Sequence, residues 1–366
     1  MGDGVKVLHV ITGMGSGGAE SMIMNWYRNI DKTNINFDFL LRSKENIYSQ
    51  EIDSLGGKVY YMPEFPKRYF SNLIKTYLFF KQHKDEYDVI HVHGNALIYT
   101  NVFLIAKFFG IKNRIMHSHS TSTKSKLFLP LHRINKLRIK RLANCFLACS
   151  DDAGKWCFDD DYKVITNGID TNKFLFNVES RNSVREELGI ADNFAICHVG
   201  RFLEVKNHKF ILKVFERVYE SNPNAHLVLV GTGPLQQDCK NYVEKKAYAP
   251  NVHFLGVRTD IPDVLSASDV FVFPSLYEGL PVSLIEAQAS GLFCVASKNV
   301  PKESKVTQNI TYLPIDDNFE NYDMWKSAIT QEYNIDRLKA NDEVGNSAYN
   351  IKNAVRELEN LYMNME

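Results

Sequence analysis

Two acidic residues, Glu278 and Glu286, bracket a turn between an apolar run and a short helix-like run. They lie in segment 275–291, which reads SLYEGLPVSLIEAQASG and follows the apolar run 269–274. The apolar run predicts a buried parallel strand, and the positions of Pro281 and Gly291 are typical of the start and the end of a helix. The N–H groups of a helix N-terminus suit an anion, while ionised carboxylates accept hydrogen bonds from hydroxyl groups. The pattern favours a nucleotide sugar as ligand; the alternative is a capping acid and a solvated acid.

Two cations, Arg201 and Lys206, follow another apolar run. The run 194–199 predicts a strand, and the loop after it carries both residues. In a doubly wound sheet such a loop lies at the carboxyl edge, where ligands bind. A guanidinium fork and an ammonium point charge can converge on a diphosphate. The alternative is a pair of solvated surface cations.

A glycine-rich loop lies near the start of the sequence. Residues 13–18 read GMGSGG, which satisfies the G-x-G-x-x-G pattern between a predicted strand and a predicted helix. Such glycines let the backbone approach a diphosphate, or they form no more than a tight turn. The next predicted strand ends at Arg42 and lacks the acidic residue that binds the ribose of NAD. The sequence therefore disfavours an NAD-dependent enzyme.

Four histidines stand at the ends of two predicted strands of the first half. His91 and His93 belong to one strand, and His117 and His119 belong to the next. Residues two apart in a strand share a face, so four imidazoles could hold a transition metal. No carboxylate or thiol recurs nearby in sequence, which argues against that site. The alternative is a set of satisfied strand-end histidines, and no metal is expected.

Composition bounds the class of protein. The chain has 366 residues, of which 45% are apolar and 23% are charged, so two globular domains are expected. Lys plus Arg equals Asp plus Glu at 43 each, so no net charge favours nucleic acid as a partner. No run reaches the length of a membrane span, and no signal peptide opens the sequence. The six cysteines include no C-x-x-C and suit reduced thiols, which predicts a cytoplasmic protein.

Strand-like and helix-like runs alternate twice along the chain, which predicts an α/β fold with two mostly parallel sheets. The join falls near 164–173, where Asn167 and Gly168 give a turn signal. A polar amphipathic run predicts one last helix over 344–364. Basic and apolar residues are mixed over 124–141, which suits either a surface helix on a sheet or contact with an anionic membrane interface.

These segments together resemble the retaining glycosyltransferases of family 4, which have the GT-B fold. Glu278 and Glu286, with seven residues between them, resemble the family's E-x7-E motif. Three further segments occur in the family's order: its N-terminal glycine loop at 10–20, its inter-domain segment VITNGID at 164–170 and its diphosphate-binding segment GRFLEVK at 200–206. The EGLP sequence at 278–281 resembles the branch that builds bacterial surface polysaccharides.

The resemblance implies two Rossmann-like doubly wound domains that face each other across a cleft. Residues 1–165 would form the acceptor-side domain and residues 166–343 the domain that holds the donor. The last helix, within 344–366, would cross back to the first domain.

The resemblance also implies roles for single residues. Glu286 would hold the ribose hydroxyls, and Glu278 the sugar hydroxyls near C3 and C4. Arg201 and Lys206 would neutralise the departing diphosphate, so that neither a metal nor another cofactor is required. The implied catalytic residues are His119, Arg201, Lys206 and Glu278. The implied donor-binding residues are Gly17, Gly18, Arg201, Lys206, Val257, Glu278, Gly279, Leu280, Pro281, Val282 and Glu286.

One histidine is implied beside the donor sugar. His119 fits best, and His117 stays open because the HSH motif leaves the register uncertain by two residues. The acceptor-side candidates are His93, Asn95 and His117.

The sequence thus predicts a metal-independent, retaining glycosyltransferase in surface polysaccharide synthesis. It would move a hexose or N-acetylhexosamine from a nucleoside-diphosphate sugar, with a UDP-sugar expected, to a glycan or lipid-linked acceptor. It would work in the cytoplasm, at the inner face of the membrane if residues 124–141 bind lipid. A sugar-nucleotide 2-epimerase of related fold would need a different acid–base set. A non-catalytic partner of another transferase would bind the donor without turnover.

Overall fold

The computed structural model describes residues 4–15, 17–120, 123 and 126–365. The chain divides into two compact units. Unit 1 comprises Met1–Gly168 together with Ile351–Glu366, and unit 2 comprises Ile169–Asn350. Each unit is an α/β structure built on one parallel sheet, so the predicted fold class of two Rossmann-like domains is confirmed.

Unit 1 is built on a seven-stranded sheet in the order β3-β2-β1-β4-β5-β6-β7, in which every neighbouring pair is parallel. The strands are β1 (Val5–Ile11), β2 (Ile35–Leu41), β3 (Val59–Tyr61), β4 (Val89–Gly94), β5 (Asn113–Ser118), β6 (Cys145–Ala148) and β7 (Lys163–Val164). In the described part of the unit, six α-helices connect them: α1 (Gly18–Asn29), α2 (Ser49–Ser54), α3 (Tyr69–His83), α4 (Asn101–Phe108), α5 (Leu129–Leu142) and α6 (Asp151–Phe158).

Two hydrophobic cores cover the two faces of this sheet. Successive side chains of a strand point to opposite faces, so Val7 belongs to one core and Leu8 to the other. The first core includes Trp26 of α1, and the second includes Phe80 of α3 and Phe103 of α4. Burial on both faces explains why the strands read as continuous apolar runs in the sequence.

Unit 2 repeats the architecture with a six-stranded parallel sheet in the order β10-β9-β8-β11-β12-β13. The strands are β8 (Ala195–Val199), β9 (His226–Val230), β10 (Val252–Gly256), β11 (Val270–Phe273), β12 (Phe293–Ser297) and β13 (Ile310–Leu313). The helices are α7 (Val178–Leu188), α8 (His208–Ser221), α9 (Gln236–Val243), α10 (Ile261–Ala267), α11 (Val282–Ala289), α12 (Phe319–Thr330) and α13 (Arg337–Gly345).

The final segment corrects the single helix predicted over 344–364. Helix α13 ends at Gly345, and a separate helix, α14, spans Ile351–Met363. Between them the side chain of Ser347 donates to the carbonyl of Val344 at 2.7 Å, and that of Asn350 donates to the carbonyl of Gly345 at 2.6 Å. Ser and Asn side chains compete in this way with helical hydrogen bonds, so the helix breaks.

Helix α14 belongs to unit 1. Its buried residues Ile351, Val355, Leu358 and Tyr362 join the core that contains Trp26. The chain therefore leaves unit 1 after Gly168 and returns to it after Asn350.

Candidate active site

The loop after β8 is fixed by the neighbouring loop after β9. Phe202 N–H donates to the carbonyl of Thr232 at 3.0 Å, and Leu235 N–H donates to the carbonyl of Phe202 at 3.1 Å. Gly231 has a φ of +130°, and a Cβ at that position would lie 2.1 Å from the carbonyl oxygen of Gly200. Only glycine permits this approach, because any other residue would collide with rigid backbone. The two loops thus form one support for residues 200–206.

The structure brings Lys206 and Glu278 into a direct ion pair. Lys206 Nζ lies 2.7 Å from Glu278 Oε1, and the two side chains are only 19% and 13% exposed. The ammonium also lies 4.7 Å from the centre of the Phe273 ring. Leu276 N–H donates to the carbonyl of Val205 at 2.8 Å, which ties the loop after β11 to the loop after β8. Two residues that the sequence assigned to different parts of a donor are therefore neighbours.

Arg201 differs from Lys206 in its surroundings. Its side chain is exposed and makes no ion pair or hydrogen bond with any described residue. The sequence placed both cations on an exposed loop, which is right for Arg201 and wrong for Lys206. Lys206 lies in the short 3-10 turn Glu204–Lys206 and is half-buried by its contacts with Glu278 and Phe273.

Glu286 lies inside α11 and is half-buried. Its carboxyl group makes no hydrogen bond with the described residues. Burial disfavours the charged form and raises the pKa of Glu286 to about 7. The sequence treated this group as an ionised acceptor. At neutral pH, however, the Glu286 carboxyl group is protonated in part of the protein molecules. In those molecules it can donate a hydrogen bond as well as accept one.

The N-terminus of α11 offers free backbone donors beside Glu278. Pro281 is the residue before the first helical turn, and no side chain caps the helix. Within the part of the chain that the structure describes, the N–H groups of Gly279, Leu280 and Ser283 have no hydrogen-bond acceptor. A Cβ at Gly279 would meet nothing within 4 Å, so this turn borders open space. Free N–H groups at a helix start suit an anion or an electron-rich oxygen.

The loop after β10 carries Val257, which is 76% exposed. The next residue, Arg258, makes paired contacts with both Glu187 and Asp260, the shortest at 2.6 Å to each. These contacts fix the loop while the Val257 side chain stays free. Its predicted place beside the donor base stays a prediction.

Unit 1 contains a cluster of five histidines rather than the predicted four, and four of the five are fully buried. His9 of β1 lies opposite His91 of β4, and His93 lies opposite His117 of β5. His9 was not predicted as a member, because it is the only histidine of its strand. The signal for it was its position in the strand that pairs with β4.

Two hydrogen-bonded chains run through the cluster. His93 bonds His9 and His119, both at 2.8 Å between ring nitrogens. His91 bonds His117 at 3.1 Å and the hydroxyl of Tyr362 at 2.6 Å. Most of the ring nitrogens thus have partners inside unit 1.

All five imidazoles are held neutral. Burial lowers the pKa of His9 and of His119 to about 3, and it lowers the pKa of His91, His93 and His117 well below the usual value. The sets His9–His91–His93 and His93–His117–His119 each have nitrogen atoms within 4.8 Å of one another, close enough to be considered for a metal ion. His119 is the member at the edge of the cluster, because it is half-buried while the other four are fully buried.

Other predicted residues of unit 1 lie at the start of α1 and just after β4. Gly17 precedes α1, and Gly18 has nothing within 4 Å of the place of a Cβ; Ser16 between the loop's glycines lies outside the described residues. Asn95 is exposed just after β4, and its carbonyl accepts from Trp156 Nε1 at 3.0 Å.

Three neighbouring helices of unit 1 share an unusual composition. Helices α3, α4 and α5 contain eight Lys or Arg residues and no Asp or Glu. Their exposed apolar side chains include Phe70 and Ile74 of α3, Phe108 of α4 and Leu137 of α5. The predicted patch 124–141 contains all of α5 except Leu142, and its first residue, Lys124, lies outside the described residues. We call the outer surface of these three helices the α3–α5 face.

The fold and this arrangement of cations, carboxylates and free N–H groups point to a glycosyltransferase, and comparisons with known proteins agree. The family described as Glycosyltransferase Family 4 matches residues 16–173, and the family described as Glycosyl transferases group 1 matches residues 180–350. A relative named "Putative glycosyltransferase EpsF", from Bacillus subtilis (strain 168), is 37% identical to this chain. The match covers 81% of this chain and 80% of the relative. The chain therefore belongs to the family 4 glycosyltransferases.

Two further relatives indicate the biological setting. The UDP-Gal:alpha-D-GlcNAc-diphosphoundecaprenol alpha-1,3-galactosyltransferase of Escherichia coli is 30% identical over 62% of this chain and 61% of its own. The capsular polysaccharide biosynthesis glycosyltransferase CapH of Staphylococcus aureus is 25% identical over 98% of this chain and 99% of its own. The protein is a glycosyltransferase of polysaccharide or glycan biosynthesis.

A solved structure supports the fold. Anabaena Alr3699/HepE in complex with UDP-glucose matches with a TM-score of 0.73 at 19% identity, covering 98% of this chain and 100% of that one. This chain therefore has the GT-B fold, as the sequence predicted. Among the described residues, every helix is too short or too polar to cross a bilayer.

Proposed function

We propose that the protein is a retaining, metal-independent glycosyltransferase that moves a hexose or N-acetylhexosamine from a UDP-sugar to a glycan or lipid-linked acceptor. The observation that carries the proposal is the ion pair of Lys206 and Glu278 beside the free guanidinium of Arg201. A cation for phosphate and a carboxylate for hydroxyls thus stand side by side at the carboxyl ends of β8 and β11. A sugar diphosphate presents the same two chemistries side by side.

Unit 2 holds the donor in this proposal. An ammonium has three N–H donors, so Lys206 can keep its bond to Glu278 and still donate to phosphate oxygens. Arg201 adds a second positive charge to the same diphosphate. The remaining oxygen of Glu278 and the N–H groups of Gly279 and Leu280 would bind sugar hydroxyls, while Glu286 would bind the ribose.

The chemical step needs charge stabilisation more than a protein nucleophile. The bond between the anomeric carbon and the diphosphate oxygen breaks as the acceptor oxygen attacks from the same face. The acceptor proton passes to the departing phosphate. Fixed cations that meet the developing charge lower the barrier, which is the role that a metal has in other transferases.

The identity of donor and acceptor is supported by similarity. The Escherichia coli relative is named for a UDP-galactose donor and a diphosphoundecaprenol-linked acceptor, and the Anabaena structure contains UDP-glucose. We propose that unit 1 serves the acceptor, with His119 as its donor-facing histidine. His119 is neutral and is oriented by His93, which would let it exchange hydrogen bonds with sugar hydroxyls.

The α3–α5 face extends the patch predicted at 124–141, and we propose that it docks on an anionic bilayer. Lys136 and Lys140 pair with Asp159 and Asp161, which follow α6, and the other six basic residues of the three helices make no ion pair with the described residues. These six complement anionic headgroups, and the exposed apolar side chains can enter the interface. The helices form one surface, because Tyr77 and Phe108 are in ring contact and Lys107 Nζ donates to the carbonyl of Arg141 at 3.1 Å. The six cysteines are all unpaired, which suits the cytoplasmic side of the membrane.

A two-stage assay tests the function. Thermal-shift screening against a panel of nucleotide sugars should show one donor that raises the melting temperature, since a ligand that binds only the native state stabilises it. That donor is then incubated with lipid-linked saccharides, and the product linkage is read by NMR. An α-linked product from an α-linked donor supports retention. Donor binding without transfer to any acceptor would instead indicate a non-catalytic partner of another transferase.

A further inference from the structure

Arg42 lies at a functional edge of unit 1. It follows the last residue of β2, and its N–H donates to the carbonyl oxygen of Thr12, just beyond the end of β1, at 2.9 Å. In open parallel sheets, ligands bind at this carboxyl edge. The residue is nevertheless only 8% exposed.

The guanidinium of Arg42 is enclosed by neutral groups. It lies 4.1 Å from the centre of the Tyr99 ring and 6.0 Å from that of Phe65. Nη2 donates to Thr12 Oγ1 at 2.9 Å, while Nε is buried without a partner and Nη1 makes no hydrogen bond with the described residues. No carboxylate of the described residues lies within 4.0 Å of it. Arg42 is thus a buried cation without an anion.

Other enclosed arginines of the chain are satisfied. Arg185 in unit 2 is bonded to Asp269 and to the carbonyls of Ala191 and Ala267. Arg114 in unit 1 donates to the carbonyls of Ile111, Lys112 and Leu142. A buried charge is costly unless it is paired, so a purely structural arginine would be expected to have such partners. The contrast indicates that the anion of Arg42 comes with a ligand.

We propose that Arg42 binds a phosphate group of the acceptor. The inference rests on the proposed function, in which unit 1 serves a lipid-linked acceptor. Helix α3 links the two features: Asn72 and Thr76 of α3 hydrogen-bond the hydroxyl of Tyr99, whose ring covers the guanidinium. An acceptor anchored in a bilayer under the α3–α5 face would present its phosphate near the start of α3. Planar guanidinium groups are well suited to phosphate.

The same phosphate chemistry could come from a polyprenyl diphosphate, a lipid headgroup or free pyrophosphate, so the test separates them. The full-length protein is titrated by calorimetry with farnesyl diphosphate, with short-chain phosphatidylglycerol and with inorganic pyrophosphate. Saturating UDP is present throughout to fill the diphosphate site of unit 2. Farnesol serves as the ligand without phosphate.

We expect farnesyl diphosphate to bind the wild type more tightly than the other two phosphates and farnesol not to bind. Arg42→Met should weaken its binding at least tenfold and should keep or raise the melting temperature, because an unpaired buried charge is removed. Arg114→Met is the matched control. It should lower the melting temperature, because three carbonyls lose their donor, and should leave the binding unchanged.

Several results would overturn the inference. One is equal binding of farnesyl diphosphate by the wild type and by Arg42→Met; another is no binding by the wild type. Preference for phosphatidylglycerol would assign the residue to a headgroup instead of the acceptor. If Arg42→Met fails to fold, Thr12→Val removes the hydrogen bond that orients the guanidinium and should weaken binding several-fold. The titration measures binding and needs no turnover. The inference about Arg42 can therefore fail while sugar transfer succeeds, and sugar transfer can fail while the titration supports the inference.

Discussion

Lys206 and Glu278 are coupled, so their variants must be interpreted as a pair. Lys206→Ala removes a phosphate donor and also leaves the half-buried Glu278 without its partner. Arg201 is the cleaner test of the diphosphate site, because it is exposed and has no partner to disturb among the described residues.

We expect Arg201→Ala to lower kcat/KM. The loss of transition-state stabilisation should be about 2–4 kcal/mol, the usual effect of deleting one preorganised donor. The melting temperature should stay that of the wild type. Lys209→Ala, which removes another exposed cation at the start of α8, is the control and should keep full activity. Near-wild-type turnover of Arg201→Ala would remove the diphosphate assignment.

Glu286 gives a second prediction, through pH. Its raised pKa means that the carboxyl group favours folding at low pH, and this contribution is lost as pH rises from about 4.5 to about 7. A ribose that donates to the carboxylate binds the ionised form better. The affinity for a UDP-sugar, whose diphosphate has no group that titrates near neutrality, should therefore increase as pH rises through 7.

Glu286→Gln should bind that donor more weakly at pH 8 and should show no such pH dependence. Calorimetric titrations between pH 6 and 8 measure both. The same pH slope in the variant and in the wild type would show that another group is responsible.

At the residue scale, the sequence predicted most members of the candidate site but not the contacts between them. Arg201, Lys206, Glu278 and Glu286 could be predicted from residue type and position beside strand ends. The Lys206–Glu278 pair could not, because it depends on the side-by-side placement of β8 and β11, which are far apart in sequence. The shifted pKa of Glu286 was likewise hidden, since it arises from burial by neighbours that a linear pattern does not show.

At the scale of elements, the paired loops after β8 and β9 should be sensitive to added atoms. Gly231→Ala places a Cβ against the carbonyl of Gly200, so the loop that carries Arg201 must shift. We expect a loss of donor affinity of at least tenfold, measured by UDP titration. Gly189→Ala, at the end of α7, is the control: its φ of +65° costs about 1 kcal/mol, but its Cβ meets nothing within 4 Å, so affinity should be unchanged.

The α3–α5 face predicts binding to anionic vesicles. Leu137→Glu and Phe108→Glu should each reduce co-sedimentation with phosphatidylglycerol vesicles several-fold, because a carboxylate is repelled by the headgroups and cannot enter the interface. Phe319→Glu, at an equally exposed phenylalanine of unit 2, should have no effect. High salt should weaken the binding of the wild type. Binding that is equal for neutral and anionic vesicles, or a face that instead pairs two copies of the chain, would contradict the proposal.

Strands were more predictable than helices. The apolar run 269–274 predicted a buried strand, and β11 lies within it at Val270–Phe273, because such a run is stable when the sheet buries it on both faces. Helix α7 was not predicted, since its mostly polar sequence shows little periodicity and it buries only Val184 and Arg185. The break between α13 and α14 depended on local side-chain hydrogen bonds that a helical pattern does not reveal.

For the whole molecule, we expect sugar transfer to persist in excess chelator. In the proposed mechanism, the cations of Arg201 and Lys206, with the free N–H groups of α11, supply the positive charge that the leaving diphosphate needs. Activity assays with and without EDTA, on protein prepared in chelator, measure this. Loss of activity that a single divalent ion restores would assign a metal to the protein, and the histidine cluster of unit 1 would be the first place to look.

The return of α14 to unit 1 also sets an order of events during synthesis. Unit 2 is one continuous stretch and can complete its fold once Asn350 has left the ribosome. Unit 1 must wait, because Leu358 belongs to its core and the hydroxyl of Tyr362 is the partner of His91. A polypeptide interrupted before α14 would therefore carry a folded unit 2 and an incomplete unit 1. If unit 2 binds the donor as proposed, such a product would bind a nucleotide sugar without transferring the sugar.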